Sequence, residues 1–234
     1  MLEEAFSYAV RGDWKRRAIR GGAIAAPVVI LLPVALLWNP SLAIVALLAG
    51  VPLVGYALRV LAEPIADEEP PAIAEPLGLV RTGIVGAGVL IGYAILPAVA
   101  VAAGVWGLAG SDVGLWTVAV PAGAAFAIGA YLAPAAMFAV ARSGSLTGAA
   151  DWGVIVRAAS GLPYVSATLQ SLVVWFTAGG VAVMLLVTVF GLLAVPTVVF
   201  FSLLVVARLY AHAIVATIDP SAVAAANEES MPGM

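Results

Sequence analysis

Residues 158–207 have the sequence AASGLPYVSATLQSLVVWFTAGGVAVMLLVTVFGLLAVPTVVFFSLLVVA, fifty residues without one Asp, Glu, Lys or Arg. As a single α-helix this stretch would be about 75 Å long, at about 1.5 Å per residue. The hydrocarbon core of a bilayer is only about 30 Å thick, so the stretch is predicted to cross it twice. A turn fits either at Gly179-Gly180 or between Gly191 and Pro196. The second place is favoured because it leaves spans of more even length.

The whole 234-residue chain shares this character, since 64% of its residues are hydrophobic, 10% are charged and the mean hydropathy is +1.13. An average soluble domain is about 45–50% apolar and about 25% charged. The composition therefore excludes a soluble enzyme, a nucleic-acid-binding protein and a disordered chain. The chain has no cysteine and a single histidine, His212, which excludes Cys-ligated and multi-His metal sites. No cofactor is expected.

Six apolar segments are long enough to cross a bilayer as helices, which satisfy their own backbone hydrogen bonds in lipid. Their predicted bounds are 21–38, 41–62, 82–108, 115–141, 164–190 and 192–215. The predicted fold is an all-α integral membrane protein, in which six transmembrane helices within 21–216 form three helical hairpins with short cytoplasmic interfacial helices. Residues 1–20 are predicted to form an amphipathic basic interfacial helix, and residues 217–234 an acidic cytoplasmic tail.

The basic residues indicate an orientation. Five of the ten Lys and Arg precede the first span, two lie in 59–81, two in 142–157, and the last is Arg208. With six spans, all of these segments fall on one side of the membrane. The positive-inside rule then predicts a multi-pass protein of the cell membrane with both termini in the cytoplasm.

The N-terminal segment combines Leu2, Phe6 and Val10, at four-residue spacing, with a basic cluster. A helix of this kind lies in the membrane interface and binds headgroups, anionic ones in particular. The plainer interpretation, that these charges orient the first span, is compatible with it. The predicted headgroup-binding residues are Arg11, Trp14, Lys15, Arg16, Arg17 and Arg20.

An approximate internal repeat precedes the first, third and fifth spans. In each case an acid lies eight residues before a small residue that begins a predicted span region, and the acids are Asp13, Glu75 and Asp151. A carboxylate at a helix N-terminus accepts backbone hydrogen bonds and interacts favourably with the helix dipole. The three acids are therefore predicted to cap short interfacial helices that introduce the three hairpins.

Two other patterns leave alternatives open. Arg208 and His212 share a helix face, either as a buried pair or, as we favour, with Arg208 extending to the interface beside Tyr210 as an aromatic anchor. Small residues at four-residue spacing favour close packing within one bundle over self-association. These are Gly88 and Gly92, Ala98 and Ala102, and Ala119, Gly123 and Ala127.

No acid lies inside a predicted span, and no catalytic or metal-binding motif occurs, so the protein is predicted not to be an enzyme. The leading hypothesis is a non-enzymatic membrane protein that organises the membrane or binds a partner. Membrane lipids, a second copy of the chain or another membrane protein are the expected partners. The alternative is a small-solute transporter or channel, whose path would be lined by Tyr93, Tyr131 and Gln170.

Four segments carry a family resemblance: GDWKRRAIRGG at 12–22, GYALRVLAEPIADEEPPAIAEPLGLVRTGIVGAG at 55–88, YLAPAAMFAVARSGSLTGAADWGVIVRA at 131–158 and ARLYAHA at 207–213. They resemble the archaeal and bacterial domain-of-unknown-function family numbered 4013. The chain departs from the usual pattern at Glu75-Pro76, where the family has two acids and a Trp, and at Ala211, where it has Gly. The resemblance implies a multi-span membrane protein and no particular activity.

Overall fold

The computed structural model describes residues 1–39, 42–63, 69–73, 76–109, 114–219 and 221, and the regular structure in these ranges is entirely helical. Six helical stretches are long and apolar enough to cross a membrane, which confirms the predicted fold class. The elements are α1 (Leu2–Val10), α2 (Trp14–Leu37), α3 (Leu42–Ala62), α4 (Pro76–Leu90), a π-helical turn (Ile91–Ile95), α5 (Leu96–Ala109), α6 (Leu115–Ser143), a 3-10 turn (Leu146–Ala150), α7 (Trp152–Ala159), α8 (Leu162–Leu186) and α9 (Val189–Ile218).

The last span, α9, is the central helix of the bundle. It contacts α1, α2, α3, α6, α7 and α8, and 67% of its apolar stretch is buried. Large side chains such as Phe200, Leu204 and Ile214 are fully enclosed along it. In each of the three hairpins predicted from the sequence, α2–α3, α4/α5–α6 and α8–α9, the two helical arms are in contact.

Glycines permit a close helix crossing between α3 and α4. A Cβ atom at Gly55 would collide with the carbonyl oxygen of Leu79, and one at Gly83 would collide with that of Val51. Only glycine permits this approach, which brings the first and second hairpins together.

The small residues singled out by spacing do not make such crossings. A Cβ at Gly88, Gly92 or Gly123 would meet no atom within 4 Å. The expectation of close helix packing therefore fails at these three glycines, whereas Ala98 and Ala102 are partly buried. In a lipid environment a small residue carries no penalty for facing outward, so spacing alone cannot identify the packed face.

A π-helical turn separates α4 from α5 and has a local cause. Pro97 has no N–H, so the carbonyl of Tyr93 cannot receive the usual intrahelical hydrogen bond. Gly129 of α6 packs directly against this carbonyl, since a Cβ at Gly129 would collide with the Tyr93 oxygen. The irregular turn thus lies against a neighbouring helix.

The predicted interfacial helix 1–20 is divided in the structure. It ends at Val10, and α2 begins at Trp14 and continues without a break into the first span. Gly12 causes the division, because it adopts a positive φ of 64° and a Cβ there would lie 2.7 Å from Oε2 of Glu69. The basic residues after Gly12 consequently belong to the first turns of the spanning helix.

The turn between the last two spans lies at Val187 and Thr188, which corrects both positions proposed from the sequence. Thr188 caps α9, since its hydroxyl oxygen accepts a hydrogen bond of 2.9 Å from the backbone N–H of Gly191. Gly179 and Gly180 lie within α8 and Pro196 within α9. The cap decides the turn, because bilayer-embedded helices tolerate internal glycine and proline.

Candidate functional site

A polar cluster joins α1 to the ends of α3 and α9. The guanidinium carbon of Arg208 lies 4.2 Å from the ring centre of Tyr8, and the Arg208 side chain is only 3% exposed. The Tyr8 hydroxyl donates a hydrogen bond of 2.6 Å to Oε2 of Glu63, which follows the last turn of α3. Ala5 and Ala9 are buried on the same face of α1 and allow it to approach the bundle closely.

The charges of the cluster are set by these contacts. Burial raises the pKa of Tyr8, and its hydrogen bond to the Glu63 carboxylate raises it further, so Tyr8 remains a hydrogen-bond donor. The ammonium group of Met1, 3.0 Å from the Glu4 carboxylate, lowers the pKa of Glu4, and Arg208 of α9 acts in the same direction. Glu4 therefore stays negatively charged toward the cationic end of α9.

The position of Arg208 corrects the favoured sequence interpretation. Its side chain is enclosed between α9 and α1 and does not extend to an exposed interface. Tyr210 is also buried, and its hydroxyl donates to Oγ1 of Thr168 at 3.3 Å. The docking of α1 on α9, which the sequence does not reveal, covers Arg208, whereas Tyr210 is covered by α8.

Tyrosine hydroxyls donate hydrogen bonds that stabilise the connection between the fourth and fifth spans, where α7 packs against α6. The hydroxyl of Tyr131 donates to the carbonyl of Ala159 at the end of α7, at 2.5 Å, and Tyr164 donates to the carbonyl of Tyr131 at 2.6 Å. Tyr93 donates to the carbonyl of Ala149 in the 3-10 turn. Carbonyls at helix ends lack intrahelical partners, so the bonds to Ala159 and Ala149 satisfy groups that are costly to leave unpaired in lipid, while the bond to Tyr131 joins α8 to the middle of α6.

The three residues predicted to line a transport path therefore lie in separate places. Tyr131 bonds the end of α7, and Tyr93 lines a groove of about 630 Å³ between α4 and α6, beside Trp152. Gln170 donates to Oγ of Ser166 within its own helix at 3.0 Å. The described contacts do not bring these side chains together.

The predicted capping acids differ from one another. Oδ1 of Asp151 accepts a 3.1 Å hydrogen bond from the backbone N–H of Val154 and caps α7, as predicted. Asp13 precedes α2 but makes no capping hydrogen bond, and its carboxylate lies 3.9 Å from Arg16. Glu75 lies outside the described residues. Of the helices α2, α4 and α7, which follow the three acids in the chain, α7 alone is a separate short helix, since α2 and α4 run directly into their spans.

Of the six predicted headgroup-binding residues, five are exposed and one is buried. Arg11, Trp14, Lys15 and Arg16 are exposed, and the Lys15 ammonium lies 5.9 Å from the ring centre of Trp14. Arg17 is buried and donates to the carbonyl of Arg11. The exposed Arg20 donates to the carbonyl of Ile73.

Tyr8, Tyr56 and Glu63 belong to this site but were not predicted from the sequence. Tyr56 packs against Phe200 and donates to the carbonyl of Pro71 at 3.0 Å, so it connects α3, α9 and the segment after α3. A usable signal for Tyr8 was present: it lies between Ala5 and Ala9, and small residues beside a polar one are typical of a packed face. Within the described ranges, no three His, Asp or Glu side chains are placed to share a metal ion.

A cavity of about 340 Å³ lies between the spans and is partly open to the outside of the protein; we call it the central cavity. Each of the six spans contributes to its lining, and the lining is almost entirely apolar. One residue from each span, in chain order, is Val28, Gly50, Leu90, Met137, Trp175 and Leu203.

These features define a six-span helical membrane protein in which the N-terminal helix is bound to the central last span. The chain belongs to the family described as protein of unknown function (DUF4013), whose sequence model matches residues 40–188. The chain matches no curated protein and no solved structure.

Proposed function

We propose that the protein is a non-enzymatic membrane-organising protein that binds anionic lipid headgroups at the face formed by α1 and the start of α2. One observation carries the proposal. The face of α1 that holds Ala5, Tyr8 and Ala9 is bound to the bundle, so its other side remains free. Phe6 is 50% exposed and Val10 is 54% exposed on that free side.

The exposed residues have the chemistry of an interfacial surface. Phe6, Val10 and Trp14 are apolar or amphipathic, and Lys15 and Arg16 are exposed beside them. Apolar side chains enter the headgroup region while cations attract anionic lipids, each contributing about 1 kcal/mol near the surface. Because α1 is held by the polar cluster, these groups are presented without an ordering cost on binding.

The proposal is tested with the full-length protein in neutral detergent. Phosphatidylglycerol should raise the Tm more than phosphatidylcholine with the same chains, since a ligand that binds the folded state stabilises it. The difference should shrink as salt rises, because the Debye length falls from about 10 Å at 0.1 M to about 3 Å at 1 M. Equal stabilisation by the two lipids would contradict the proposal.

A matched pair of variants locates the effect. Lys15→Ala with Arg16→Ala should weaken phosphatidylglycerol binding by about 2 kcal/mol, roughly 30-fold. Arg142→Ala with Arg157→Ala removes the same charge from exposed positions away from α1 and should have a smaller effect. The proposal would be rejected if both double variants lost affinity equally.

We further propose that this face is cytoplasmic and that the membrane is the cell membrane, on the strength of the basic residues collected there. The chain has no native cysteine, which makes the orientation simple to test. In intact cells, a cysteine at the exposed Ser145 should resist an impermeant thiol reagent, and one at Val187, 85% exposed, should react. The reverse result would invert the orientation.

The contacts give less support to a small-solute transporter. A polar path requires polar groups that face a shared cavity, as in transporters with midplane binding sites. Here Tyr131 and Gln170 make hydrogen bonds in separate places, and the central cavity has an apolar lining. The non-enzymatic character is supported by the sequence, which has no cysteine and one histidine.

A further inference from the structure

The central cavity has the size and chemistry of a binding site for an apolar group. Its volume of about 340 Å³ lies within the range of small-molecule sites, about 300–1,000 Å³. Tyr210 and Trp175 are the lining residues with polar side-chain atoms, and the Tyr210 hydroxyl is bonded to Thr168. Water needs two to four polar partners in a cavity and therefore gains little here.

The surroundings identify the class of occupant. An α-helix with side chains is about 10–12 Å in diameter, too wide for this volume, which argues against a helix of a second copy. An extended hydrocarbon chain is far narrower and is the apolar group that a bilayer supplies at every depth of the spans. An empty apolar cavity would forfeit the packing contacts that such a chain provides.

Trp175 marks where the cavity meets the lipid. It lines the cavity and is nevertheless 40% exposed, and the next residue, Phe176, is 80% exposed on the outer side of α8. A chain can therefore enter past Trp175 from the lipid that surrounds α8. We propose that the central cavity holds one hydrocarbon chain of a membrane lipid as a tightly retained ligand.

This inference is independent of the headgroup proposal, because a different set of residues carries it. The probe is phosphatidylcholine brominated near the middle of its chains, which quenches a nearby tryptophan and has no net charge. Two proteins are compared, each with one tryptophan, either the native Trp175 or Phe176→Trp with Trp175→Phe. The two positions are adjacent on α8, so the two tryptophans differ only in whether they face the cavity, as at 175, or the surrounding lipid, as at 176.

Both tryptophans should be quenched in excess brominated lipid. After dilution into lipid-free detergent, fluorescence at position 176 should recover, whereas Trp175 should remain quenched by the retained chain. Recovery of both positions to the same extent and at the same rate would overturn the proposal.

Filling the cavity provides a second test. Ala207→Leu should abolish the retained quenching of Trp175, because Ala207 lines the cavity. Gly50→Leu fills it from another span, and a Cβ there would lie at an ordinary 3.5 Å from Val28, so one filling variant serves if the other does not fold. Ala127→Leu, an exposed position on α6, is the matched control and should retain the quenching. Retention in a folded filling variant would overturn the proposal.

Discussion

The last two spans are nearly alike as sequences and opposite as structural elements. Their mean hydropathies are 1.9 for α8 and 2.1 for α9, yet 17% of the apolar stretch is buried in α8 against 67% in α9. α8 packs along α9, whereas α9 contacts most of the bundle. Hydropathy therefore identifies a membrane-spanning helix but does not show whether it lies inside the bundle or faces lipid, since lipid chains are as apolar as a protein interior.

The two helices differ more clearly in their charged side chains. Both bury polar residues, Tyr164 and Ser171 on α8 and Ser202 and Tyr210 on α9, but α8 has no charged residue, whereas Arg208 is buried on α9. A charged group in a membrane is costly when it faces lipid, so Arg208 marks the helix that other helices surround.

The largest expected effect comes from truncating a phenylalanine on each helix. Phe200→Ala should destabilise the protein by about 3–5 kcal/mol, because the side chain is 0% exposed and packs against Tyr56. Phe176→Ala should change stability by less than about 0.5 kcal/mol, since that side chain is 80% exposed. Unfolding in a denaturing detergent titration measures both. Equal losses would mean that α8 is as enclosed as α9.

A smaller effect is expected for the buried cation of α9. Arg208→Met keeps much of the side-chain volume but removes the interaction with the Tyr8 ring, at a cost of about 2 kcal/mol. The exposed Arg157→Met on α7 should cost much less. Protease cleavage within α1 should also accelerate in the Arg208 variant, because α1 would detach from α9 more often. Unchanged cleavage would show that the apolar face of α1 suffices to hold it.

The smallest expected effect concerns Asp151, which caps α7, the short helix that precedes α8. Asp151→Ala should cost about 0.5–2 kcal/mol because it removes the cap of α7, and Asp151→Asn should cost less because asparagine still accepts the Val154 hydrogen bond. Asp13→Ala should be nearly neutral, since Asp13 makes no capping bond. Thermal stability in detergent distinguishes the three variants. If Asp13→Ala lowered stability as much as Asp151→Ala, the two acids would have equivalent roles at the starts of their helices, as the repeat predicted.

Part of the candidate site was predictable from local sequence, and part was not. The Asp151 cap was predicted because capping involves neighbours within three residues. The exposure of Lys15 and Arg16 was predicted from their charge, but the same reasoning fails for Arg17, which is buried. The burial of Arg208 was not predicted because it depends on Tyr8, which lies 200 residues away in the chain. The residues around Arg208 do not indicate that α1 packs over it.

The sequence by itself determined that this is a helical membrane protein with six spans. A chain so apolar must lie in lipid, and backbone groups in lipid must be satisfied within helices of bilayer length. Tertiary structure alone decided that α9 is central, that α1 covers Arg208 and that the spans form a partly open apolar cavity. The physical reason is that an apolar side chain gains almost equally from lipid and from protein. Placement is therefore left to packing at glycines such as Gly55 and to polar contacts such as that between Tyr8 and Glu63.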